Sequence, residues 1–159
     1  MIRLCLVQPA VKWPAKVMGM RILIADDNEF VRQGVADMLS NEVNLDVCGE
    51  ASNGTEALQK TEELRPDLVL LDISMPGISG YETARLLREQ APGIRILIMS
   101  FGDTQQLLPL ARKAGADDCV DKARLGSDLL TTINRFLPAG SQAQNKKVKR
   151  ATAGNDQLN

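Results

Sequence analysis

Three carboxylates, a hydroxyl and an ammonium stand where short apolar runs end in this 159-residue chain. Asp26 and Asp27 follow Arg21-Ile22-Leu23-Ile24-Ala25, and Asp72 follows Leu68-Val69-Leu70-Leu71. Ser100 follows Ile96-Leu97-Ile98-Met99, and Lys122 follows Cys119-Val120-Asp121. If the runs are parallel strands, all five groups lie on one edge of one sheet. Clustered carboxylates suit a hard divalent cation, a carboxylate beside it can act as a nucleophile, and a hydroxyl and an ammonium can hold phosphoryl oxygens. The chemistry expected is Mg2+-dependent phosphorylation of an aspartate.

The elements that must position these groups are legible in the hydrophobic pattern. From Met20 onward, apolar runs alternate with amphipathic stretches five times, the pattern of a doubly wound α/β fold. Strands are predicted at 21–26, 46–50, 67–72, 94–100 and 118–121. Their runs of Ile, Leu and Val are nearly unbroken, as strands covered by helices on both faces require. Val31, Val35, Met38 and Leu39 repeat at helical spacing behind a cap at Asp27 or Asn28. The second and third helices run from about Thr55 to Leu64 and from about Gly80 to Gln90, with Pro66 and Pro92 shortly after their ends. Pro109 falls inside the fourth helical stretch, so the regular helix is expected to start near Leu108, and Gly115 stops it. Leu129, Ile133, Phe136 and Leu137 mark the fifth helix, for which Ser127 is the natural N-cap.

Length and a hydrophobic share of 44% allow one good core, and residues 20–138 are read as that domain. Residues 1–19 form a leader expected to be poorly ordered: its apolar run is broken by Gln8, Pro9, Lys12 and Pro14 and is too short for a secretory or membrane segment. Residues 139–159, polar with a cluster of Lys146, Lys147, Lys149 and Arg150, are expected to be disordered. Between Met20 and Leu137, 19 acids stand against 12 bases, so the domain is a poor surface for nucleic-acid phosphates, and four bases in the tail without aromatics add only weak binding. Cys5, Cys48 and Cys119 show no CxxC spacing and read as reduced thiols of a cytoplasmic protein. The chain has no histidine, which excludes a Ser/His pair and requires any phosphohistidine donor to sit on another molecule.

These strand ends, together with the run Asp72-Ile73-Ser74-Met75-Pro76-Gly77-Ile78-Ser79-Gly80, resemble the receiver domain of bacterial two-component response regulators, the CheY-like family. The resemblance covers Met20 to Leu137 and includes the Asp26-Asp27 pair, the DxxMPxxxG pattern from Asp72, Ser100, Gly115-Ala116-Asp117 and Lys122. It implies a flavodoxin-like, five-stranded parallel sheet in the order 2-1-3-4-5. Asp27 and Asp72 then face each other at the topological switch point, where two carboxylates repel unless a cation bridges them. It further implies that Asp72 is the phosphoacceptor and that Asp26, Asp27, Asp72 and the backbone carbonyl of Ser74 serve Mg2+, Asp26 mainly through water. Lys122 would pair with Asp72 before transfer and with a phosphoryl oxygen afterwards, and Ser100 would donate to another oxygen. A sensor histidine kinase or a small acyl phosphate would be the donor. The output would be a changed surface at the fourth helix, fifth strand and fifth helix, read by an unknown downstream protein or by a second copy of the chain.

Three positions depart from the family pattern. Cys119 replaces an aromatic residue, Phe101 replaces a smaller one, and Ala123 replaces a proline, for which a trans Lys122–Ala123 bond is expected. An aspartyl-phosphate hydrolase is disfavoured because Ser74 stands where such an enzyme would have a second aspartate, so the chain is read as a switch rather than an enzyme. A nucleotide-binding domain is disfavoured because acids follow the first strand where a glycine-rich loop would be needed. The receiver part of a longer DNA-binding transcriptional regulator remains the alternative.

Overall fold

The computed structural model describes residues 19–138, so the leader but for Gly19, and the tail from residue 139, lie outside the described residues. Five strands alternate with five helices. They are β1 (Met20–Ala25), α1 (Glu29–Ser40), β2 (Leu45–Ala51), α2 (Gly54–Leu64), β3 (Leu68–Asp72), α3 (Gly80–Gln90), β4 (Arg95–Ser100), α4 (Thr104–Lys113), β5 (Asp118–Asp121) and α5 (Leu125–Phe136). All strand pairs are parallel and the order is β2-β1-β3-β4-β5, which places β1 and β3 side by side at the switch point.

The apolar strands face two ways, and the period of two divides them between two cores. Ile22, Ile24, Leu68, Leu70, Leu97, Met99 and Val120 pack with Val35 and Leu39 of α1 and Leu129 and Ile133 of α5. Leu23, Ala25, Val69, Leu71, Ile96, Ile98 and Cys119 pack on the other side with Ala57 of α2, Ala84 and Leu87 of α3 and Ala111 of α4. Each fully buried Leu or Ile contributes roughly 1.5–3 kcal/mol, so the five strands are fixed in position by both layers. The β1–β2 register slips by one residue: Ile22 pairs with Val47 and Leu23 with Gly49, which leaves Cys48 as the extra residue of a bulge. Cys48, like most of the outer strand β2, is only partly buried, whereas Cys119 is buried, and burial raises both thiols above their usual range.

Caps define most helix starts. Asn28 Oδ1 accepts from the backbone N–H of Phe30 at 2.9 Å, Asn53 from Glu56 at 2.9 Å, Ser79 from Glu82 at 3.2 Å and Asp103 from Gln105 at 2.9 Å. Two sequence expectations fail here. The fourth helix does not begin near Leu108; it begins at Thr104 behind the Asp103 cap and runs through Pro109. Leu107, Leu108 and Ala111 hold its inner side on the core, while Pro109 lies on the exposed side with Gln105, so water can satisfy the carbonyl that residue 109 would otherwise bond. Ser127 is not an N-cap. A single 3-10 turn at Lys122–Arg124, capped by Asp121, leads directly into α5 at Leu125, and Ser127 lies inside the helix with its hydroxyl donating to the Arg124 carbonyl at 3.1 Å.

Candidate functional site

The C-terminal ends of β1 and β3 carry the carboxylates. Asp26 is completely buried, Asp72 is 3% exposed and Asp27 lies open on the rim. One oxygen from each lies within 4.8 Å of the others, so the structure brings together the three acids that the strand endings singled out. Asp26 is held on several sides: its N–H donates to the Ala51 carbonyl at 3.0 Å, its Oδ1 accepts from Asn28 N–H at 2.9 Å, and its carbonyl accepts from Arg32 Nη1 at 2.8 Å. The Asp27 carboxylate makes no hydrogen bond or ion pair among the described residues.

Lys122 reaches this group from the end of β5. Its Nζ lies 2.5 Å from Asp26 Oδ2 and 2.9 Å from Asp72 Oδ1, and its side chain is only 6% exposed. Burial works against the ammonium, but hydrogen bonding and charge from Asp26 and Asp72 outweigh it and hold the Lys122 pKa above the usual lysine value. Asp26 Oδ2 thus has the ammonium as its partner, and Asp26 Oδ1 has the Asn28 N–H, so both oxygens of this fully buried carboxylate are engaged. Sequence reasoning paired Lys122 with Asp72 alone; the structure adds Asp26 as a second counter-ion. The three clustered carboxylates, with Asp27 open on the rim, give a donor set of hard oxygens that fits Mg2+.

Ser100 ends β4, beside β3, where Asp72 pairs with Met99. Its hydroxyl donates to the Phe101 carbonyl at 3.3 Å. Ser74 stands two residues after Asp72 and is exposed. The next turn contains Gly77 at φ 82°, a conformation that suits glycine after Pro76. Gly80 closes the motif for a different reason: a Cβ there would run into the Asp72 carbonyl oxygen, so only glycine lets α3 begin against the end of β3. Phe101 is 72% exposed, and its ring centroid lies 5.6 Å from Lys122 Nζ. Cys119 Sγ donates to the Thr104 carbonyl at 3.4 Å, and every peptide bond among the described residues, Lys122–Ala123 included, is trans.

Sequence reasoning missed Arg32. It lies on α1, donates through Nη1 to Asp26 O, and pairs through Nε with Glu50 of β2 at 2.9 Å, tying α1 and β2 to the end of β1. A single arginine on a helix gives no signal of that role, since both partners are distant or backbone atoms.

Comparison with known proteins agrees with this geometry. Residues 22–134 match the family model of the response regulator receiver domain. The chain is 39% identical over 114 residues to the nitrate/nitrite response regulator protein NarL of Escherichia coli, covering 72% of this chain and 53% of NarL. It is 36% identical over 118 residues to the chemotaxis protein CheY of Thermotoga maritima, covering 74% of this chain and 98% of CheY. It thus spans about half the length of NarL and nearly all of CheY. Among solved structures, a LuxR-family two-component response regulator from an Aurantimonas species superposes with a TM-score of 0.71 at 28% identity, covering 84% of this chain and 99% of that one. A family model matched across most of the sequence, on a sheet of this order and with the three acids and the lysine at its strand ends, leaves one assignment: the chain belongs to the response regulator receiver domain family of two-component signalling.

Proposed function

We propose that Asp72 is the phosphoacceptor of this receiver and that its phosphorylation switches the surface of α4, β5 and α5. The observation that carries the reading is the Lys122 ammonium held between buried Asp26 and Asp72, with Asp27 open beside them. Asp26, Asp27, Asp72 and the Ser74 carbonyl are the groups that would hold Mg2+. Bound there, the ion would offset the negative charge of the incoming phosphoryl group. An Asp72 carboxylate oxygen forms the new P–O bond while the donor's bond to phosphorus breaks and its electron pair leaves with the donor, an imidazole from phosphohistidine or the carboxylate of an acyl phosphate. Lys122 and Ser100 then hold oxygens of the transferred group. Since the chain has no histidine, the phosphohistidine belongs to a partner, a sensor histidine kinase of the cytoplasm.

Ser74, rather than an acid, stands two residues after Asp72, so the chain is proposed to turn over its own aspartyl phosphate and no external substrate. Because the chain spans only about half of NarL and about half of the transcriptional activator protein ExaE of Pseudomonas putida, we also propose that this receiver can serve as the input part of a DNA-binding regulator. Among the described residues no helix is long and apolar enough to cross a membrane. Incubation with a small acyl phosphate and Mg2+ is expected to add one phosphoryl group by intact mass. Asp72→Asn should abolish the gain, and full labelling of that variant would overturn the assignment.

A further inference from the structure

Both groups assigned to phosphoryl oxygens are bound to one residue. The Phe101 ring lies 5.6 Å from the Lys122 ammonium, within cation–π range, and the Phe101 carbonyl accepts the Ser100 hydroxyl at 3.3 Å. Nothing in the cores explains this placement, since the ring is 72% exposed. Immediately after Phe101 the chain forms a pivot and a helix start. Gly102 has φ 131°, Asp103 caps α4, and the Thr104 carbonyl takes the thiol of Cys119 in β5. A phosphoryl group on Asp72 would compete with Phe101 for both the Ser100 hydroxyl and the Lys122 ammonium.

We propose that Phe101 is a positioning residue, a latch that holds the Lys122 ammonium and the Ser100 hydroxyl in their unphosphorylated places and swings free, with the first turn of α4, when Asp72 is modified. This rests on the reading of Asp72 as the phosphoacceptor. The latch favours the unmodified state, so weakening it strengthens binding of a phosphoryl mimic. A steric plug would give a different signature, faster labelling in proportion to the bulk removed.

The chain has three phenylalanines, Phe30, Phe101 and Phe136, so the full-length protein grown with 4-fluorophenylalanine gives three fluorine resonances, and Phe101→Leu identifies the one from position 101. Beryllofluoride with Mg2+ is the probe, with occupancy followed separately by calorimetry. The Phe101 resonance is expected to move on binding, and it should not move in Asp72→Asn. Phe101→Leu, which keeps bulk but loses the ring, should bind the mimic roughly two- to fivefold more tightly, the factor equivalent to an exposed cation–π contact, and Phe101→Tyr should match the parent. Binding with an unmoved Phe101 resonance overturns the latch alone, as does equal or weaker binding by Phe101→Leu. No binding by the parent together with no phosphoryl transfer from an acyl phosphate overturns the phosphoacceptor reading, and the latch with it.

Discussion

Replacing Lys122 by methionine keeps the length of the side chain and removes its charge. It leaves two carboxylates facing each other, one fully buried and the other nearly so, where the ammonium lay 2.5 and 2.9 Å away. Removing one partner of a buried ion pair costs about 3–5 kcal/mol, and the low end applies here because the open Asp27 marks a rim that water reaches. For a domain of this size each kcal/mol moves the melting temperature by roughly 3–6 °C, so Lys122→Met should lower it by about 10–15 °C. Circular dichroism melts at neutral pH measure this directly. Magnesium should raise the melting temperature of the variant more than that of the parent, since a cation then supplies the missing charge; at about 100 times its Kd it would return about 2.7 kcal/mol. The pH dependence has a fixed sign. The raised Lys122 pKa makes its contribution complete below the ordinary lysine range and lost only as pH climbs through the folded-state value, so parent and variant should stay apart from neutral to about pH 9 and converge only at strongly alkaline pH. A melting temperature within about 2 °C of the parent would refute the argument, because it would mean that solvent already screens the cluster.

Gly80→Ala should lower stability by roughly 3 kcal/mol or more and impair acyl-phosphate labelling, because its Cβ collides with the Asp72 carbonyl and backbone must shift; chemical denaturation and intact mass test the two effects. Glu56, which accepts from Lys60 and from both the N–H and the hydroxyl of Ser52, has its pKa lowered to about 2; Glu56→Gln should therefore cost stability fully above the ordinary carboxylate range, with the difference fading as pH falls toward about 2, read from urea midpoints. Pro109→Ala should stabilise by about 1–2 kcal/mol, because it restores a helical N–H at an exposed site at the cost of a looser unfolded chain; a lower melting temperature would show that the proline ring itself packs.

The strand ends were legible because burial on both faces writes each strand as an apolar run, and a run that stops at Asp26, Asp72 or Ser100 marks the sheet edge by itself. The third helix, expected from about Gly80 to Gln90 with Pro92 after its end, is found at Gly80–Gln90, and the structure adds the Ser79 cap that starts it. Its neighbours show the limit of local rules. Pro109 predicted a late start for α4, but the Asp103 cap and the inward side of Leu107, Leu108 and Ala111 outweigh one lost bond on the wet side. Ser127 looked like a cap because nothing local shows that the chain has already begun to wind at Lys122. The order of the strands came from family resemblance rather than from periodicity, which says nothing about which runs are neighbours. The contacts of Lys122 with Asp26, of Arg32 with the Asp26 carbonyl and of Phe101 with Lys122 join distant parts of the chain, and only the fold brings them together.

The bulge at Cys48 has a consequence for how copies of this domain can meet. An open parallel sheet has two outer strands whose free N–H and C=O rows invite a further strand, from a neighbour or from a misfolded chain. Here β2, at one border, has that row interrupted by the extra residue and by the change of twist that accompanies it. At the other border β5 is four residues long and begins and ends in aspartate, with Asp118 also engaged by Arg135 at 3.1 Å. Neither border offers a regular template. Crowded solutions of the domain should accordingly resist fibrillation by sheet growth, and association between copies is left to the helical faces.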